Sequence, residues 1–144
     1  MQVFDTMGIS ATGLAAERLR MDIISSNIAN ANTTRTEEGG PYIRKIPVFQ
    51  EKFQDEVNKR TGTLERVSKG VKAVEIVDDD SQLQRVYDPS HPDADEEGYV
   101  VRPNVNILNE MVDLIAATRA YEANVTVMNA SKDMMLKTLE IGKG

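Results

Sequence analysis

The sequence contains no cysteine and no tryptophan, a single histidine, and few aromatic residues, only 5% of its 144 positions. Without cysteine there are no disulfide staples, no thiolate metal sites and no cysteine nucleophile. One histidine, His91, cannot form a histidine pair for metal binding or proton exchange. Standing between Pro89 and Pro92, it reads as a solvated loop residue. The scarcity of aromatics argues against a deep, rigid ligand pocket. Long hydrophobic runs are also missing: the longest, Leu114-Ile115-Ala116-Ala117, falls far short of the ~20 residues that a membrane span needs. The start, Met1-Gln2-Val3-Phe4-Asp5, has neither a basic n-region nor an apolar h-region, so no cleavable secretory signal is expected. There is no basic stripe either. The net charge is −6, and residues 78–97 carry eight acids against one arginine, a local −7 that exceeds the total. Nucleic acid is therefore not an expected partner, and the acidic stretch reads as a solvated loop.

What the chain does have is methionine, seven of them, in a composition that is 40% hydrophobic and 28% charged. That is a folded protein, and its soft, unbranched side chains suit helix–helix seams. Met7, Leu14, Met21 and Ile28 recur every seven residues, with Phe4, Ala11 and Ser25 at the intervening positions and Leu19, Ile23 and Ile24 alongside. This spacing predicts a helix over about 3–30. It stops in Asn30-Ala31-Asn32-Thr33-Thr34, and Gly39-Gly40-Pro41 forbids continuation. A second helix is predicted from an Asn104 or Asn106 cap to about Ile141, with Gly142 just past its end and Lys137 and Lys143 near its negative pole. One of its columns reads Ile107, Leu114, Tyr121, Met128, Met135; the other reads Met111, Thr118, Val125, Lys132, Leu139. A helix of that length reaches roughly 55 Å, longer than a domain of this size is wide, so its stripe needs partners. Because these stripes find cover only against each other and neighbours, both terminal segments are expected to be largely unfolded in the free chain and to fold only on joining an assembly.

Between the helices, Tyr42 to Phe49, Val71 to Val77, Leu83 to Tyr87 and Gly98 to Arg102 read as short strands, with Pro47 making the first an edge strand or breaking it. The expected fold class is α+β. Residues 1–34 and 104–144 supply the two long terminal helices of a coiled-coil-like α domain. A small, mainly antiparallel β domain at 35–103, including the acidic loop 78–97, is inserted between them.

No template for catalysis fits. Asp93-Ala94-Asp95-Glu96-Glu97-Gly98 imitates the start of a calcium loop, but Asn104 stands where a bidentate glutamate is required and prolines occupy the entering helix. No Gly-x-Ser-x-Gly elbow and no phosphate loop occur. Catalytic, cofactor and metal residues are accordingly expected to be absent, and the chain is not expected to be an enzyme. The informative polar residues lie in the helical segments. Asn27 is read as a buried amide fixing register between packed helices, and Asn30 as either that or a helix end.

Ser26-Asn27-Ile28-Ala29-Asn30 followed by Thr33 resembles the N-terminal signature of the flagellar axial protein family, its rod, hook and hook-associated subunits. Arg119-Ala120-Tyr121-Glu122-Ala123-Asn124, running on to Thr138-Leu139-Glu140-Ile141-Gly142, resembles its C-terminal signature. Tyr87-Asp88-Pro89-Ser90-His91-Pro92-Asp93-Ala94-Asp95, Glu97-Gly98-Tyr99 and Pro103-Asn104-Val105-Asn106 are similar to the proximal rod members. The resemblance implies a structural subunit of the flagellar basal body. It implies export by the flagellum's own type III apparatus, without a cleavable signal, and stacking with copies of itself and other rod subunits into a torque-bearing tube across the periplasm or cell wall. The expected assembly interface is Met7, Leu14, Met21, Asn27, Ile28, Asn30, Ile107, Met111, Leu114, Tyr121, Val125, Met128, Met135 and Leu139. A soluble helical adaptor or export chaperone is the other reading of the same stripes.

Overall fold

The seven-residue rhythm at each end does produce a helix. In a computed structural model that describes residues 2–57 and 64–142, helix α1 runs Gln2–Ala29 and helix α2 runs Ile107–Gly142. The end of α1 is closed by its asparagines: Asn30 N–H donates to the Ser26 carbonyl, and Asn30 Nδ2 donates to the same oxygen at 2.9 Å. Of the two candidate caps for α2, Asn106 is the one used, its Oδ1 accepting from Leu108 N at 3.0 Å and Asn109 N at 3.3 Å. Gly142 belongs to the helix rather than following it in left-handed conformation; that conformation occurs at Gly39, Gly40, Gly70 and Gly98. Lys137 pairs with Glu140 at 3.0 Å, one turn short of the helix end, and Lys143 lies outside the described residues, as does Met1.

Between the helices in sequence are two small antiparallel sheets of two strands each. Strand β1 is Lys45–Val57 and pairs with β2, Leu64–Asp78; β3, Gln84–Tyr87, pairs with β4, Tyr99–Arg102, in the register Val86↔Val100. The second pair falls where the sequence places it. The first pair is much longer than expected, because both faces of this ribbon are largely exposed and its residues show no alternation to read. Pro47 sits inside β1, which is possible because every strand of a two-stranded sheet is an edge.

Two compact units form, and they do not follow the three sequence zones. The first comprises Met1–Leu19, Val48–Glu75 and Ala117–Gly144. Here β2 docks on α1: Val71 N donates to Thr12 Oγ1 at 3.1 Å, and Lys69 Nζ meets Asp5 Oδ1 at 2.8 Å. Gly70 is required at this contact, since its φ is +104° and a Cβ would overlap Thr12 Oγ1. The helices approach closely at Gly13, where a Cβ would lie 3.1 Å from the Asn124 amide.

The second unit comprises Arg20–Pro47 and Ile76–Ala116. Its apolar core is Ile23, Ile24, Ala31, Val100 and Val105. Within it α1 and α2 are antiparallel, since Arg20 faces Asp113 at 3.7 Å while Asn27, further along α1, meets Glu110, earlier on α2.

Candidate assembly interface

The helices bury a different column from the one their hydrophobicity suggests. On α2, Leu114, Tyr121, Met128 and Met135 are half-buried, as one expected column. Its partner column is Glu110, Ala117, Asn124 and Ser131, of which Glu110, Ala117 and Ser131 are fully buried. The column expected in that role is turned outward: Met111, Thr118, Lys132 and Leu139 are exposed, and only Val125 is half-buried. On α1 the same shift occurs. Met7, Leu14, Met21 and Ile28 are half-buried, but the inner partner column is Ser10, Glu17 and Ile24, while Phe4, Ala11, Arg18 and Ser25 are exposed. Ser10, Ala117 and Ser131 in these columns let helical backbones come close, and Glu17, Glu110 and Asn124 make the rest of them largely polar. Arg18 and Lys132, which interrupt the apolar columns, therefore face outward.

The large apolar residues form an exposed face instead. In the second unit Leu108 is 74% exposed, Val112 66% and Ile115 60%, with Met111 beside them. Their spacing, i, i+4, i+7 with i+3, is one face of a helix. Ile107, also expected at the interface, is exposed at the start of α2. In the first unit, Met134, Leu136, Leu139 and Ile141 are exposed along the last turns of α2.

Beneath the exposed start of α2 lies a polar joint. Asn27 is 1% exposed. Its Oδ1 accepts from Tyr42 Oη at 2.9 Å and Lys45 N at 3.0 Å; its Nδ2 donates to the Lys45 carbonyl at 3.0 Å and to Glu110 Oε2 at 3.1 Å. Every donor and lone pair of the carboxamide is used. Glu110, equally buried, takes Arg44 Nε on Oε1 at 2.6 Å. Arg44 also reaches Asp79 at 3.1 Å, and burial, which opposes its charge, is outweighed by these two carboxylates, so its pKa is pushed up. The Ser81 backbone amide, helped by the Ser81 hydroxyl and Arg44, holds the Asp79 carboxyl below its ordinary range. Asn104 completes the joint by accepting from Arg44 N at 2.8 Å and donating to the Asp79 carbonyl at 2.9 Å.

Thus the N-terminal Ser-Asn-Ile-Ala-Asn motif and the Pro-Asn-Val-Asn motif before α2 meet in one unit. Asn27 offers no surface of its own to a neighbour; its bonds are within the chain, and half-buried Asn30 ends α1 by local bonds to Ser26 and Thr33. Glu110, Arg44 and Tyr42 were not singled out by sequence. The available signal was Glu110 itself, a carboxylate one seven-residue step from Ala117 and two from Asn124.

Further along the acidic loop, Asp88 and Asp95 brace its own turns. Asp88 Oδ1 accepts from the Ser90 hydroxyl at 2.7 Å and Asp95 Oδ1 from Tyr99 N at 2.8 Å, and these bonds lower both pKa values. Among the described residues no three acidic or histidine groups converge on a point that could hold a metal ion, and no helix is long and apolar enough to cross a membrane.

Comparison with known proteins agrees with the motifs. Residues 7–35 match the family described as flagella basal body rod protein, and residues 96–141 match the flagellar basal body rod FlgEFG protein C-terminal family. The chain is 49% identical over 150 residues to the flagellar basal-body rod protein FlgC of Bacillus subtilis, with 99% of this chain and 100% of that protein covered. It is 44% identical to the FlgC of Borreliella burgdorferi over the full length of both, and 38% identical to that of Escherichia coli O6:H1 over 99% of this chain and all of the relative. Identity of this extent along the whole chain assigns the molecule a structural rather than an enzymatic role in the basal body. The chain belongs to the flagellar basal-body rod protein FlgC family.

Proposed function

We propose that α1 and the exposed apolar residues of α2 are the surfaces by which this rod subunit packs against copies of itself and other rod subunits in the proximal part of the rod. The supporting observation is the inversion on α2: small and polar residues are buried in the single chain while Leu108, Met111, Val112, Ile115 and Leu139 are left in water. An exposed apolar helix face such as that of Leu108, Met111, Val112 and Ile115, on a subunit of an assembly, is where a neighbour would cover it. A drive shaft carries torque as shear across such contacts, and a 36-residue helix, about 54 Å long, spreads that load over many residues. Passage of the chain through the flagellum's type III apparatus without a cleavable leader, and a position across the periplasm or cell wall, complete this reading. The alternative of a soluble adaptor or export chaperone is not favoured by relatives that are rod proteins along their whole length.

The test is Ile115→Asp. In the free chain this side chain is in water, so the fold and export should be near normal; in a docked interface an unpaired carboxylate costs several kcal/mol. Loss of rod incorporation and swimming, with an unchanged Tm of the purified chain, is the expected result. Normal swimming by this variant would show that the face stays open in the rod.

A further inference from the structure

The first turns of α2 have little apolar grip on their own unit. Leu108, Met111, Val112 and Ile115 point away from it, and of the apolar side chains in this stretch Leu114 alone is half-buried, so hydrophobic burial holds it weakly. The side chain that goes inward is Glu110, and its two oxygens are held by Arg44 Nε and Asn27 Nδ2. The Asn106 cap stabilises the helix start but leaves its rotation about its own axis undetermined. Glu110 is the tightest constraint on it, since the other polar contacts of these turns, Asp113 with Arg20 and with Arg44, are at 3.7 Å and partly exposed. Successive side chains are about 100° apart, so a turn by one residue would place Asn109 or Met111 over Asn27. Arg44 and Asn27 would then keep buried donors without a carboxylate to receive them.

We propose that Asn27, Arg44 and Glu110 form a latch that sets the rotation of α2's first turns, and so aims the face made by Leu108, Met111, Val112 and Ile115 at a neighbouring rod subunit. The proposal rests on that face being a docking surface. The latch residues act by position: Asn27 and Glu110 are buried and touch only their own chain. Arg44 serves both this latch and the link to Asp79 and Asn104, which joins α2's start to the segment leaving β2. A residue buried under a docking face is thus as necessary to docking as the residues on it.

The experiment compares full-length Glu110→Ala, Glu110→Gln and Val100→Ala, by peptide-resolved hydrogen exchange of the purified chain and by rod incorporation in cells. Glu110→Ala should speed exchange over 107–116 at least tenfold and abolish incorporation, although every residue of the exposed face is intact. Glu110→Gln retains an acceptor for one of the two donors and should recover part of both. Val100→Ala, a core truncation in the same unit, should lower Tm while leaving exchange over 107–116 and incorporation close to wild type. Should Glu110→Ala fail to fold, Glu110→Gln and Arg44→Met carry the comparison, with the same graded rise expected. Unchanged exchange over 107–116, faster exchange with normal incorporation, or an equal loss of incorporation in Val100→Ala at matched Tm would each overturn the latch. Normal incorporation of Ile115→Asp would instead remove the docking face, and the aiming role with it, while the exchange result stood.

Discussion

At Asn27 a carboxamide takes the place of a neighbouring strand, bonding both the N–H and the carbonyl of Lys45 while also reaching Tyr42 and Glu110. No other side chain of similar size offers two donors and two acceptors in this geometry. Asn27→Asp replaces the donor facing Glu110 with an oxygen, bringing two carboxylates to about 3 Å in a buried site, where both cannot remain ionised. The shared proton is bound more tightly in the folded than in the unfolded chain. The penalty therefore grows as pH rises above the ordinary carboxylate range near 4 and is larger at pH 7 than at pH 5. Thermal melts at pH 7 and pH 5 should show a large deficit for Asn27→Asp at the higher pH and a smaller one at the lower. A deficit independent of pH would mean that the two carboxylates never face each other. The asparagine's burial was legible in the sequence, since a polar residue inside a seven-residue stripe asks for a partner; its partner was not, because Glu110 lies 83 residues away and nothing local marks it.

Among the elements, the helices were the most legible and the β1–β2 ribbon the least. Seven-residue spacing gave both helices nearly to the residue, and asparagine chemistry gave both the end of α1 and the cap of α2. Hydrophobicity misassigned the inner column because it does not tell which apolar residues the single chain buries; on the reading proposed above, the others are covered in the assembly. Met111 and Leu139 read as seam residues, yet in the single chain Glu110, Ala117 and Ser131 go inward. The ribbon was shortened in the reading because Gln50 to Asp55 and Arg66 to Ser68 have no pattern of a buried face; pairing, not burial, holds them in strands. Its attachment to α1 depends on one residue. Gly70→Ala must adopt φ near +104° and also displace Thr12, whereas Gly39→Ala meets the positive φ alone, in open space. A loss of about 1–2 kcal/mol is expected at Gly39 and clearly more at Gly70, read from urea melts of the two variants. Equal losses would show that the Thr12 contact does not anchor β2.

For the whole molecule, large apolar side chains of α2 stand exposed in each of the two units. The terminal stripes alone suggest segments that order only within the assembly; the core of Ile23, Ile24, Val100 and Val105, with the Asn27–Glu110 joint, offers the end of α1 and the start of α2 cover within the single chain as well. What stays in water is the outward face of α2, and the account stands on its being covered in the rod. The absence of native cysteine makes this directly measurable, because any introduced thiol is unique. Val112→Cys, Ile115→Cys and Leu139→Cys, with Ala117→Cys as a buried reference, would be labelled with a maleimide in the purified chain and in isolated basal bodies. The account predicts that the thiols at 112, 115 and 139 react rapidly in the free chain and are protected in the rod, while the thiol at 117 is protected in both. Thiols at 112 and 115 that react as fast in intact rods as in the free chain would contradict it.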